Sequence, residues 1–158
     1  MMDIGYFYGY LFNMIEVIYA DKKPAIRKQN NKEEIYCIIR KRWLLLTPEE
    51  WVRQNFLIYL TEVKNYPIAL IAVEKQFIVS EVKKRFDILV FDKLTNPKII
   101  IECKEMSIRI NENVFHQVLS YYSAIQSSYI IITNGTHTLG FKRNQQDIIP
   151  ITEIPDWQ

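Results

Sequence analysis

Cysteine and histidine are nearly missing from this 158-residue sequence, with two of each: Cys37, Cys103, His116 and His137. No two of them stand at a zinc-knuckle spacing, which argues against a structural zinc site. Two cysteines cannot make a disulfide framework, so a stapled secreted scaffold is excluded as well. A Cys–His or Ser–His–Asp hydrolase would have to rest on two histidines with no supporting motif. His116 and His137 therefore read as surface or turn positions without a catalytic role. The sequence also lacks the run of about 20 apolar residues that a membrane span needs. It has no G-x-x-x-x-G-K-[ST] loop, so no ATP-driven motor is encoded in these residues. Net charge is only +2, too small by itself to announce a nucleic-acid binder. What remains for an enzyme is chemistry built on carboxylates, lysine and a hard metal ion.

The apolar fraction of 49% and charged fraction of 24% are those of a globular protein, and the length suits one domain. The aromatic start, Ile4 to Phe12, carries Asp3 in place of a basic leader, so it does not read as a signal peptide. Met14 is an alternative start, which would leave residues 1–13 marginal to the fold. We expect an N-terminal extension over 1–23, a single domain over 24–158, and a cytoplasmic location.

Thr47-Pro48-Glu49-Glu50 is the first clear punctuation. Thr47 suits an N-cap, Pro48 the first helical position, and Glu50 the third position of a capping box. The spacing predicts a helix from 48 to about 64, with Val52, Phe56, Tyr59, Leu60 and Val63 on its apolar stripe, ended by Asn65-Tyr66-Pro67. Strands are expected over 68–79, 85–91, 98–104 and 129–133. A helix over 111 to about 126 would bury Val114, Val118, Tyr121, Tyr122 and Ile125. Accessory hairpins are expected at both ends, the first over 25–39 turning near Asn30-Asn31, the last over 136–152. The order is α/β, a mixed sheet flanked by helices.

Within this order, Asp87 and Glu102-Cys103-Lys104 stand out. Residues i and i+2 of a strand share a face, so Glu102 and Lys104 lie together and Cys103 points away. A turn centred near 95 would set Asp87 opposite Cys103, give or take a residue or two, and bring both carboxylates and the lysine to one end of a hairpin. Two carboxylates pressed together take up a proton or a cation, and oxygen ligands favour Mg²⁺ or Mn²⁺. Glu-x-Lys alone is weak: Glu62-Val63-Lys64 and Glu81-Val82-Lys83 also match. Only the third copy ends a run of isoleucines, where ionised groups cost free energy unless paired. A structural Glu–Lys pair is the alternative.

The order αβββαβ with Asp87, Glu102-Cys103-Lys104 and the helical Gln117-x-x-x-Tyr121 resembles the PD-(D/E)XK nuclease superfamily. Leu46–Gln54, Lys84–Ile88, Ile101–Lys104 and Ile132–Gly135 together resemble the N-terminal nuclease domain of type I restriction enzyme R subunits. The resemblance implies a restriction-endonuclease-like core and a metal-dependent endonuclease that hydrolyses DNA. It implies Asp87, Glu102 and the Cys103 backbone carbonyl as metal ligands, Lys104 as catalytic lysine and Gln117 near the site. Tyr121 is equally explained as core. Such nucleases often add a carboxylate from the first helix. Glu49 falls nearer the apolar stripe than Glu50, which the capping box explains, so Glu49 is chosen. Arg53, one turn on, forms a helix ion pair with Glu49 or contacts phosphate.

Arg85 and Lys84, beside Asp87, are the candidate DNA-backbone contacts. The other basic clusters (Lys22-Lys23, Arg27-Lys28, Arg40-Lys41-Arg42) read as solvated faces. With a net charge of +2, either basic residues gather around the Asp87–Lys104 end or a protein partner supplies grip, motor or sequence recognition. No membrane partner is expected. A catalytically inactive DNA-binding or complex-forming module of the same fold, and a nuclease acting on RNA, are the alternatives.

Overall fold

A computed structural model describes residues 14–79, 81–122, 125–145 and 147–158. The expectations for residues 1–13, and for the side chains of Tyr121 and Tyr122, lie outside what it describes.

The first helix, α1 (Pro48–Ile58), begins as the sequence predicts. Thr47 is extended and its Oγ1 accepts the Glu50 N–H at 3.0 Å. The helix continues as a π-helical turn over Tyr59–Val63, closed by the Lys64 N–H on the Tyr59 carbonyl at 3.1 Å. Asn65 then takes a positive φ of 60° and the chain leaves the helix. Val52, Phe56, Tyr59 and Leu60 are buried, whereas Val63 is 37% exposed. The wider π turn rotates Val63 off the stripe that a straight helix would give it.

Six strands form the central sheet: β4 (Ile71–Val79), β5 (Val82–Phe91), β6 (Pro97–Cys103), β7 (Tyr129–Thr133), β8 (Thr138–Asn144) and β9 (Asp147–Ile151), in that spatial order. Only β6 and β7 are parallel, and the crossover between them carries the second helix, α2 (Glu112–Tyr122). A parallel pair needs such a crossover, while antiparallel neighbours need only turns. Ile131 joins the core under α1, whereas its neighbours Ile130 and Ile132 join the one under α2. The helices therefore cover opposite faces, as alternation along a doubly buried strand requires. Phe115 and Val118 anchor α2, so Phe115 takes a core place that the expected stripe had omitted.

Two expectations are corrected. The N-terminal accessory element is a three-stranded sheet rather than a hairpin: β1 (Ile26–Gln29), β2 (Lys32–Cys37) and β3 (Arg42–Leu45). Asn30 and Asn31, with φ of 50° and 58°, make the first turn. Residues 38–41, with Arg40 and Lys41, make the second, Lys41 having φ 54° and its N–H bonding the Cys37 carbonyl at 2.8 Å. The second correction is register. Ile88 pairs with Ile101 and Leu89 with Ile100, one residue from the pairing expected from a turn centred at 95. A bulge between Val90 and Phe91 takes up the odd residue, and a one-residue slip exchanges faces. Asp87 is thereby set across from Glu102 rather than Cys103.

Candidate active site

The site lies where β5 and β6 stop pairing, beneath the first turns of α1. The regular ladder between these strands ends at Ile88 and Ile101. The next amide on β6, the Cys103 N–H, is taken by Asp87 Oδ2 at 2.7 Å. A carboxylate thus replaces the backbone carbonyl that would have continued the ladder, and it satisfies a buried donor. The strand beyond is bent too. Glu74, which the β4–β5 register would set opposite Asp87, has a positive φ of 47° and makes no ladder pair.

Arg53 is the centre of the charge network. Its side chain is 3% exposed. Nη2 donates to Asp87 Oδ1 at 2.8 Å and to Glu49 Oε1 at 2.9 Å, and Nη1 donates to Glu50 Oε2. Glu49, Glu50 and Arg53 meet because residues three and four apart share a helix face. Burial favours loss of the Arg53 proton, but Asp87 and Glu50 outweigh it and hold the guanidinium above its ordinary pKa. The predicted helix ion pair with Glu49 is present. The link to Asp87 on another element was not foreseen, nor was the role of Glu50. Its backbone N–H serves the cap, while its carboxylate is buried and accepts from Gln54 Nε2 at 2.8 Å as well as from Arg53.

Glu102 is 6% exposed and accepts from Lys104 Nζ at 2.8 Å. Burial and the negative charge of Asp87 push its carboxyl up to about 7, against the opposing pull of Lys104. Burial lowers the Lys104 pKa, but the Glu102 hydrogen bond and the surrounding carboxylates more than offset this and raise it. Glu49 is raised by burial and by Asp87, against Arg53 and Lys104. Cys103 is buried in the core with its thiol pushed well above its usual value by burial, then by Asp87, which makes the side chain an inert neutral group.

A family model described as the type I restriction enzyme R protein N terminus matches residues 48–155. The chain belongs to this family. No curated protein matches it.

In this R-protein N-terminal domain, the match begins at the helix that supplies Glu49 and Arg53 and runs through both strands of the site. Arg85 is largely exposed, 3.6 Å from Glu74 Oε1. Lys84 Nζ donates to the Ser120 carbonyl on α2 at 3.2 Å. Gln117 is exposed on α2, where its carbonyl accepts from Ser120 Oγ at 2.6 Å. His116 and His137 are exposed, as expected. Among the described residues no helix is long and apolar enough to cross a membrane.

Does this donor set suit a divalent ion? Among the described residues no group of three or more His, Cys, Asp or Glu side chains converges on one point, so an ion would rest on two carboxylates and a backbone carbonyl. The charges favour one. Five carboxylates (Glu49, Glu50, Glu74, Asp87, Glu102) meet four cationic side chains (Arg40, Arg53, Arg85, Lys104). The cluster is one positive charge short, and within it burial, then Asp87, pushes the Glu102 carboxyl up to about 7. Each Asp87 oxygen accepts one hydrogen bond and keeps a lone pair. Oxygen donors with a deficit of positive charge fit Mg²⁺ or Mn²⁺.

Proposed function

We propose that this domain is a metal-dependent nuclease that hydrolyses phosphodiester bonds in DNA. The observation that carries the reading is the meeting of Asp87, Glu102 and Lys104 at the open end of β5 and β6, one positive charge short of neutrality. Asp87, Glu102 and the Cys103 carbonyl would hold Mg²⁺, which when bound polarises the phosphate and makes attack by water easier. Lys104, kept protonated by Glu102, sets its ammonium against the charge that builds on phosphorus oxygens as the bond to water forms. Glu49 is the one carboxylate of the set with a half-exposed side chain, and its raised pKa suits it to hold a proton near the incoming water. Arg85 and Lys84 would steady the DNA backbone, and Gln117 would line the approach. A protein partner supplying motor or sequence recognition belongs to this reading, because type I R proteins are parts of larger enzymes.

Plasmid nicking with Mg²⁺ tests it. Wild type should convert supercoiled to open-circular DNA, and Lys104→Ala should lose about 100-fold or more of that rate. Equal trace activity in both proteins sinks the catalytic claim.

One observation favours a second reading, a non-catalytic module of the same fold. Both Asp87 oxygens already accept hydrogen bonds, one of them from a guanidinium, which is itself a counter-cation. Calorimetry with Mn²⁺ separates the two. The nuclease reading expects binding that Glu102→Ala abolishes, and heat unaffected by that substitution supports the module.

A further inference from the structure

Charge is distributed unevenly along the chain. Residues 22–42 hold eight of its 20 Lys and Arg but only two of its 18 Asp and Glu, a local net of +6. The rest of the chain is therefore net −4. The basic stretch lies within the accessory sheet and its approach, outside the 48–155 family match.

The sheet displays these charges rather than neutralising them. Arg27 is partly used: it donates to Glu34 at 2.6 Å and lies over the Trp43 ring at 4.4 Å. Lys28 and Lys32 flank the Asn30-Asn31 turn, and Lys41 and Arg42 lie at the other turn. All four are exposed and make no ion pair among the described residues. At about 3.3 Å per residue, the two turns stand roughly 17–20 Å apart along β2. Register sets Lys28 and Arg42 on the side of the sheet that holds Ile35 and Cys37, and Lys32 on the other, so the charges gather at the two turns rather than on one face. With one DNA charge per roughly 1.7 Å of axis, the two turns can each meet phosphates of one duplex.

The patch is also fastened to the candidate site. Arg40, in the second turn, is ion-paired with Glu74, and Glu74 Oε1 lies 3.6 Å from both Arg53 and Arg85. A DNA backbone held on the accessory sheet therefore lies on an element joined to the Asp87 network through Arg40 and Glu74.

We infer that the two basic turns of the β1–β3 sheet form a sequence-independent docking site for the sugar–phosphate backbone of double-stranded DNA. This rests on the reading of the domain as one that acts on DNA, but it concerns grip and not cleavage.

The test is fluorescence anisotropy of the full chain with a labelled duplex, in EDTA, across a salt series. Lys28→Gln/Lys41→Gln/Arg42→Gln should weaken binding at least tenfold near 100 mM salt. It should also flatten the plot of log affinity against log salt by about 2 or more, at roughly 0.9 per lost phosphate contact. Lys93→Gln/Lys98→Gln/Lys142→Gln removes the same charge elsewhere and should stay within twofold of wild type. Lys41→Glu alone, with a melting curve confirming the fold, is the second probe and should also weaken binding. Equal losses in the two triple variants, or no duplex binding by wild type, overturn the proposal. So does competition by anionic phospholipid vesicles that matches the duplex charge for charge. Wild type that binds the duplex in EDTA but does not nick plasmid with Mg²⁺ would remove the nuclease reading while supporting the docking site.

Discussion

At the residue scale, Arg53 and Glu102 hold opposite positions in one network. Arg53 is a buried cation with more carboxylates than it can neutralise, and Glu102 is the carboxylate left without enough cation. Removing Arg53 would strand Asp87 and Glu50 in the interior, and breaking a buried pair from one side typically costs about 3–5 kcal/mol. Arg53→Ala should therefore lower the unfolding free energy from urea titration by an amount in that range, seen as a lower midpoint, with Arg53→Lys falling between. Glu102 gives a pH prediction of definite sign. Its folded-state carboxyl titrates near 7, above the usual carboxylate range, so the folded form binds more protons than the unfolded chain between about pH 4.5 and 7. Stability without metal is then greatest below that window and falls as pH rises through it, by up to roughly 3 kcal/mol. Glu102→Gln should flatten the fall and leave the variant more stable than wild type at pH 8. Urea titrations at pH 5 and pH 8 measure both effects, and a wild type that gains stability over that interval contradicts the assignment.

At the element scale, α1 does two jobs with one turn. Its cap fixes where the helix starts, and that start fixes where Glu49, Glu50 and Arg53 fall. Thr47→Ala removes the bond to the Glu50 N–H and should cost about 1 kcal/mol, read as a lower melting temperature. Much of this element is legible in the sequence because capping and stripe are local properties. So are β7, delimited by Tyr129 and Thr133, and the Asn30-Asn31 turn, since Asn tolerates positive φ. The third accessory strand was hidden. Arg40-Lys41-Arg42 reads as a solvated charge run, and nothing in Trp43–Leu46 alone says that it pairs with β2. The hairpin register slipped by one for a similar reason: a bulge is a property of two strands fitted together.

At the scale of the whole molecule, the fold separates two kinds of charge. The carboxylates it gathers from α1, β4, β5 and β6 meet Arg53, Arg85 and Lys104 at the candidate site, while Lys28, Lys32, Lys41 and Arg42, without an ion pair among the described residues, stay on the small sheet. Glu74 joins them through Arg40, Arg53 and Arg85. A net charge of +2 conceals this, because a sum over the chain ignores position.

The sequence by itself determined the α/β order, the buried isoleucine strands, the cap of α1 and the candidacy of Asp87, Glu102 and Lys104. Each follows from periodicity, local turn chemistry or the cost of charge beside apolar runs. Only the tertiary structure decided that Arg53 grips Asp87, that Glu74 drops out of the β4–β5 ladder and pairs with Arg53, and that Arg40 ties the basic strands to the site. Those are contacts between residues far apart in the chain. Their energies depend on burial and on which charges end up within a few ångströms, and neither exists until the elements have packed.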